Sequence, residues 1–373
     1  MTRTLNASRL LLLFALVASL LALAACGGGS DSAAETEEAP AAETEAPPEE
    51  PATTAAETAA PAETEAAAEP ATLKVALDWF PNPDHVALYY ALENGFFDDQ
   101  NLTVTFETPS DVTAGLKLVA TDQFDLSIFY QGDMFFAAQE GIPVIAVGSL
   151  IPTPLNALIS LADSKVQGPD TIEGATVGVA GLPFDDAILN TIRAQQDLAQ
   201  DDVKSVNVGF DLVPALLSGS VDAVIGAYFN IEGIHLESET GSPPTITKLE
   251  ELGVPHYDEL LVVANSEKLE SDPAYADAVS RFLAAMVAAT EAAQADEAGS
   301  IEIMKAATEY TAEEIEAMVP DTLPLLTSPQ GVPTGCFDLA GWETFGQWML
   351  DNELLEAPVD PTTIATNEYL ASC

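Results

Sequence analysis

Trp79, Asn82 and His85 fall within one short stretch, Asp-Trp-Phe-Pro-Asn-Pro-Asp-His (residues 78–85), where ring faces, an amide and an imidazole lie close together. Such groups can stack on a small molecule, donate to it and accept from it. They fit a second reading as well, with Trp79 and Phe80 as core aromatics and His85 an ordinary polar residue. Other chemistries have less support. The three His are far apart in sequence, and His235 and His256 lack the spacing of a zinc pair. No G-x-S-x-G elbow offers a nucleophile, so no catalytic residue, metal or cofactor is assigned.

The elements around this stretch decide where it sits. Leu73–Leu77 is an apolar run of strand length. Pro81 and Pro83 end it by forcing extended geometry on the residues before them. Asp84 can cap a helix over His85–Asn94, closed by Gly95. The stretch is therefore a strand-to-helix loop at the carboxyl end of a strand, where open α/β sheets hold ligands. The pattern continues with strands at Leu102–Glu107, Phe124–Ser127 and Val144–Val147 and with helices through Leu116–Val119 and Asp133–Gln139. Alternation of this kind predicts a parallel α/β sheet.

Asn156–Leu161 is a strand that can leave this unit, and a turn-rich segment follows at Gly168–Gly174. A second α/β unit has strands at Thr176–Ala180, Val206–Val208 and Val221–Ile225. Its helices run through Ile188–Ile192 and Val213–Leu217, and Leu260–Ala264 is a candidate return strand. The tail is helical over Tyr275–Ala293, Ala298–Ala307, Ala312–Met318 and Leu339–Leu350. Two α/β units followed by helices that pack back on the first predict two lobes joined by two crossings.

Charge excludes several partners. The 373 residues carry 60 Asp and Glu against 11 Lys and Arg, a field that repels nucleic acid and anionic surfaces. Beyond the first 26 residues only two Arg remain, too few for the guanidinium forks that favour phosphate or sulfonate. So acidic a body suits a salty setting, because salt screens its self-repulsion.

Residues 1–26 have the form of a secretory signal, with Arg3 and Arg9 ahead of an apolar Leu10–Leu23 run. The ending Leu-Ala-Ala-Cys26 resembles a bacterial lipoprotein signal, which implies cleavage before Cys26 and a lipid anchor on it. Residues 27–71 are mostly Ala, Glu, Thr and Pro, too poor in apolar bulk to offset chain entropy, and are expected to form a disordered tether. Two cysteines are then left in an exported body, so Cys336 and Cys373 are expected to form a disulfide.

Several stretches in order carry a family resemblance: Leu77-Asp-Trp-Phe-Pro-Asn-Pro-Asp-His85, Leu116–Ala120, Leu155–Leu161, Gly178–Pro183, Val208–Gly219 and Val221–Gly226. Together they resemble the thiamine-precursor group of bacterial ABC-transporter solute-binding proteins, which bind a formylaminopyrimidine-type ring. Yeast pyrimidine-synthesis enzymes and nitrate and sulfonate binders share that fold. The resemblance implies a two-lobed periplasmic-binding-protein-like α/β fold of type II, with parallel or mixed sheets and a cleft between lobes. On this chain lobe 1 would be 72–160 plus 265–373, and lobe 2 would be 161–264.

It also implies a ligand set of Asp78, Trp79, Asn82, His85 and Tyr130 from lobe 1 with Pro183, Phe184, Asp185, Tyr228 and Glu232 from lobe 2. Trp79 and Tyr130 would supply stacking faces, and Glu232 would accept from an exocyclic amine. Core packing for Tyr130, a helix first turn for Asp185 and a solvated acid for Glu232 stay open beside those roles. Relatives often have Thr or Gly where this chain has Val86, and a second aromatic, commonly Trp, near Tyr228. The implied function is a monomeric, lipid-anchored binder that passes a small aromatic heterocycle to an ABC permease. Riboflavin is a near alternative ligand. An enzyme reading has little support, because the body lacks the cysteine-rich motif of the yeast synthases.

Overall fold

In a computed structural model of the chain, residues 69–373 are described. The leader, Cys26 and residues 27–68 of the tether lie outside the described residues. The body carries two five-stranded mixed sheets.

The first sheet has the order β2-β1-β3-β10-β4, with β1 at Ala71–Ala76, β2 at Leu102–Glu107, β3 at Leu126–Phe129, β4 at Val144–Ile151 and β10 at Leu260–Asn265. The second has the order β7-β6-β8-β5-β9, with β5 at Asn156–Ser160, β6 at Thr176–Val179, β7 at Lys204–Asn207, β8 at Ala223–Tyr228 and β9 at Thr245–Lys248. In each sheet a single strand runs against the rest. β10 is antiparallel to β3 and β4, and β5 is antiparallel to β8 and β9. These are the strands by which the chain returns to one lobe and enters the other.

The lobe boundaries therefore shift from those expected. β5 was expected to close lobe 1 and β10 to close lobe 2, but each hydrogen-bonds along both edges in the sheet it enters. The chain passes between sheets at 152–155 and 249–259. The half-buried β9, Thr-Ile-Thr-Lys, had no apolar run to announce it.

Helices α1 (Val86–Glu93), α2 (Phe96–Asp99), α3 (Gly115–Ala120) and α4 (Gln131–Gln139) belong to the first unit, and α5 (Pro183–Gln195), α6 (Leu212–Leu217) and α7 (Glu232–Thr240) to the second. The tail adds α8 (Ser266–Ser271), α9 (Pro273–Ala295), α10 (Glu297–Ala307), α11 (Ala312–Thr322) and α12 (Leu339–Asp351). Asp272 caps α9 by accepting from Ala274 and Tyr275 N–H, with Pro273 in the first turn. α9 buries Phe282, Leu283 and Met286 and packs along α1, returning the tail to lobe 1. Among the described residues no helix is long and apolar enough to cross a membrane.

Cys336 and Cys373 are joined in a disulfide, with their Cα atoms 5.6 Å apart. It ties the end of the chain to the segment beside β4, where Gly335 O accepts from Ser149 N–H.

Candidate functional site

The loop after β1 folds on itself before it can face a ligand. Asn82, not Asp84, caps the turn at Pro83–His85. Its Oδ1 accepts from Asp84 N–H at 2.8 Å, and its Nδ2 donates to Phe80 O at 3.2 Å. His85 is completely buried. Its Nδ1 accepts from Asn82 N–H at 3.3 Å, so Nε2 carries the proton and donates to Asp78 Oδ1 at 2.8 Å. The second oxygen of Asp78 accepts from Tyr130 Oη at 3.1 Å. Asp78, Asn82 and His85 thus form the scaffold behind the site, orienting Tyr130 and freeing Trp79 to point outward. Thr108 Oγ1 donates to Trp79 O and fixes that backbone.

Trp79, Tyr130, Phe184, Asp185 and Tyr228 meet at one cavity between the sheets. Asp133, Leu182, Ala180 and Gly226 complete its walls, with Asn156 and Glu259 from the ends of the two passages. Only about 20 Å³ is open, the scale of one water, so a ring-sized solute requires the lobes to part. Closure is reinforced across the cleft. Trp79 lies edge-on to Phe210 at 4.7 Å between centroids, and Phe80, 53% exposed, reaches the same ring at 4.8 Å. Asn230 Nδ2 donates to Asp84 Oδ1 at 2.7 Å and to Thr322 Oγ1 at 2.9 Å. Gly132 is required at the start of α4, because a Cβ there would meet the Phe184 ring at 2.6 Å.

Besides Asp78, Asn82 and His85 behind it, two more expected residues, Pro183 and Glu232, do not line the cavity. Pro183 is exposed, the first residue of α5. Glu232, the first residue of α7, turns back to the end of β8, its Oε2 accepting from Tyr228 N–H at 2.8 Å. Burial pushes the Glu232 carboxyl up to about 7.

The cavity is acidic. Asp133, 4% exposed, has no hydrogen-bond partner on either carboxylate oxygen among the described residues. Burial raises it to about 7, although the Phe184 backbone N–H is near enough to draw it down a little. Asp185 faces it from α5 and accepts from Ala180 N–H at 3.1 Å. Burial, then the charge of Asp133, holds Asp185 well above the usual carboxylate range. Glu259 accepts from Leu155 N–H at 2.7 Å, Asn156 N–H at 3.0 Å and Tyr257 Oη at 2.8 Å. Burial still leaves its carboxyl raised. Among the described residues no Lys or Arg lines this space.

Sequence reasoning missed Asp133, Glu259 and Phe210. An Asp in the first turn of a helix is common for dipole reasons and carries no mark of a site. Glu259 had one available signal, an acid placed directly before the fully apolar Leu260–Ala264. Phe210 lay within the family-like stretch Val208–Gly219 but was not singled out there.

The family model described as NMT1/THI5 like matches residues 82–299. The chain belongs to the NMT1/THI5-like family. One relative is a Haemophilus influenzae protein named for thiamine biosynthesis, 34% identical over 305 residues, 80% of this chain and 90% of that one. Another is the formylaminopyrimidine-binding protein of Halalkalibacterium halodurans, 31% identical over 293 residues, 77% of this chain and 87% of that one. Among solved structures, the alkanesulfonate-binding protein SsuA from Xanthomonas axonopodis pv. citri superposes with a TM-score of 0.63 at 15% identity. That match covers 80% of this chain and 99% of SsuA. The two-sheet architecture of this NMT1/THI5-like chain is thus that of the periplasmic binding proteins.

Proposed function

We propose that the protein is the solute-binding component of an ABC importer and takes an amine-bearing aromatic heterocycle of the formylaminopyrimidine type. The observation that carries this reading is the unpartnered, buried Asp133 facing Asp185 between Trp79, Tyr130 and Tyr228. Aromatic faces suit a flat ring, and buried carboxylates need donors, which an aminopyrimidine supplies through its exocyclic amine. The relative from Halalkalibacterium halodurans supports the same solute class.

Among the described residues, an anion such as nitrate or a sulfonate finds no cationic partner lining this cavity. A synthase reading has little support either: the two body cysteines are bonded to each other, and among the described residues no lysine lines this cavity. Trp79, Tyr130, Asp133, Phe184, Asp185 and Tyr228 are the proposed contacts, with Asp78 and His85 as positioning residues. Export, a lipid anchor at Cys26 and monomeric delivery to a permease complete the reading, supported by the leader's form and by the fold.

Thermal-shift and calorimetric titration of the purified protein with a formylaminopyrimidine, thiamine, riboflavin, nitrate and taurine tests it. Saturable binding of the pyrimidine is expected, with no response to the anions. Stabilisation by an anion alone, without response to any heterocycle, overturns the proposal.

A further inference from the structure

We propose that His235, Glu239 and Glu314 form a divalent transition-metal site that clamps the two lobes at the mouth of the cleft. His235 and Glu239 are four residues apart on α7, so both project from one helix face. Glu314 comes from the first turn of α11, in the tail, which packs against both α7 and the Pro83–His85 turn. One ligand atom from each residue lies within 4.8 Å of the others. Metal–ligand bonds of about 2.0–2.2 Å need only small side-chain rotations from there.

The support around these groups is that of a metal centre. His235 Nδ1 and Glu314 Oε1 are 2.5 Å apart, a contact that a metal would enter by displacing the hydrogen bond. The other oxygen of Glu314 accepts from Thr311 N–H at 2.8 Å and from Thr311 Oγ1 at 2.7 Å, which fixes the carboxylate in outer-shell fashion. Tyr310 meets the His235 ring edge-on at 5.5 Å and limits its rotation.

A cavity of about 540 Å³ adjoins the cluster and reaches Phe80 and Pro81 on the loop that carries Trp79. It leaves room for solvent in the remaining coordination positions. One imidazole with two carboxylates suits zinc or a neighbouring transition metal better than calcium, which prefers oxygen alone. The ligands come from both lobes, so the site is complete only when they close. A metal bound there therefore favours the closed form by mass action. This inference rests on the fold and stands independently of the solute proposed for the cleft.

Zinc chloride titrated calorimetrically into the purified full-length protein tests the site, in high salt to screen diffuse cation binding. One saturable equivalent is expected. Glu239 is exposed, so Glu239→Gln keeps the fold and should weaken zinc by more than about tenfold, as loss of metal-site groups commonly does. Glu237→Gln, also exposed on α7, should leave zinc affinity unchanged. Small-angle scattering should show zinc compacting the wild type and not Glu239→Gln. Equal affinity of the wild type and Glu239→Gln, absence of a single saturable equivalent, or no compaction at saturation each overturns the clamp.

Discussion

Asp133→Asn is a substitution whose effect on stability should change sign with pH. Below about pH 4 the Asp133 carboxyl is protonated in both folded and unfolded chains and carries no ionisation cost. Between its ordinary value and about 7 only the folded chain keeps the proton, so the wild type loses stability as pH rises. Above 7 the ionised carboxylate is buried without a partner, and a displacement from 3.8 to about 7 corresponds to about 4 kcal/mol. Asparagine removes that charge but leaves a buried amide unpaired, at a cost of about 1–3 kcal/mol. The net expectation at pH 8 is a ligand-free variant more stable than the wild type by about 1–3 kcal/mol. At pH 5 the gain should vanish or reverse. Urea unfolding at both pH values and constant ionic strength measures the difference. The same variant should bind the pyrimidine at least roughly tenfold more weakly, since a charge-assisted hydrogen bond is lost. A variant no more stable than the wild type at pH 8 would refute the assignment of Asp133 as an unsatisfied acid.

Trp79→Ala should weaken ligand binding by ~10–100-fold by calorimetry, with a stability loss of only roughly 1–2 kcal/mol, because the ring is half-buried. Unfolding with no separate affinity effect would return Trp79 to a packing role. Replacing Cys336 and Cys373 together by Ser opens a loop spanning a sequence separation of 37 and should cost about 2–4 kcal/mol in denaturant unfolding. An unchanged midpoint would show that the reduced chain end is held equally well by its other contacts.

The alternating apolar runs made most strands and the long tail helices legible, because burial on a sheet or along a helix stripe forces that periodicity. Leu102–Glu107 agrees residue for residue with β2, and Leu260–Ala264 falls one residue short of β10. Sheet membership was not legible. β5 and β10 are buried on both faces, and such a run carries no direction that says which sheet receives it. At the site, the aromatic walls Trp79, Tyr130 and Tyr228 could be named because large rings beside strand ends are conspicuous. The acids were harder to place. In a chain with 60 Asp and Glu, nothing local separates buried Asp133 and Glu259 from the many solvated carboxylates. The capping and relay bonds of Asn82 and His85 run to backbone and to Asp78, partners invisible to residue type alone.

Glu259 closes the passage at 249–259 and, through Leu155 and Asn156 N–H, also grips the passage at 152–155. The two connections are thereby fastened into one joint. A shift in one connection is therefore passed to the other. Glu259 also borders the cavity, so a solute that perturbs its carboxylate acts directly on that joint.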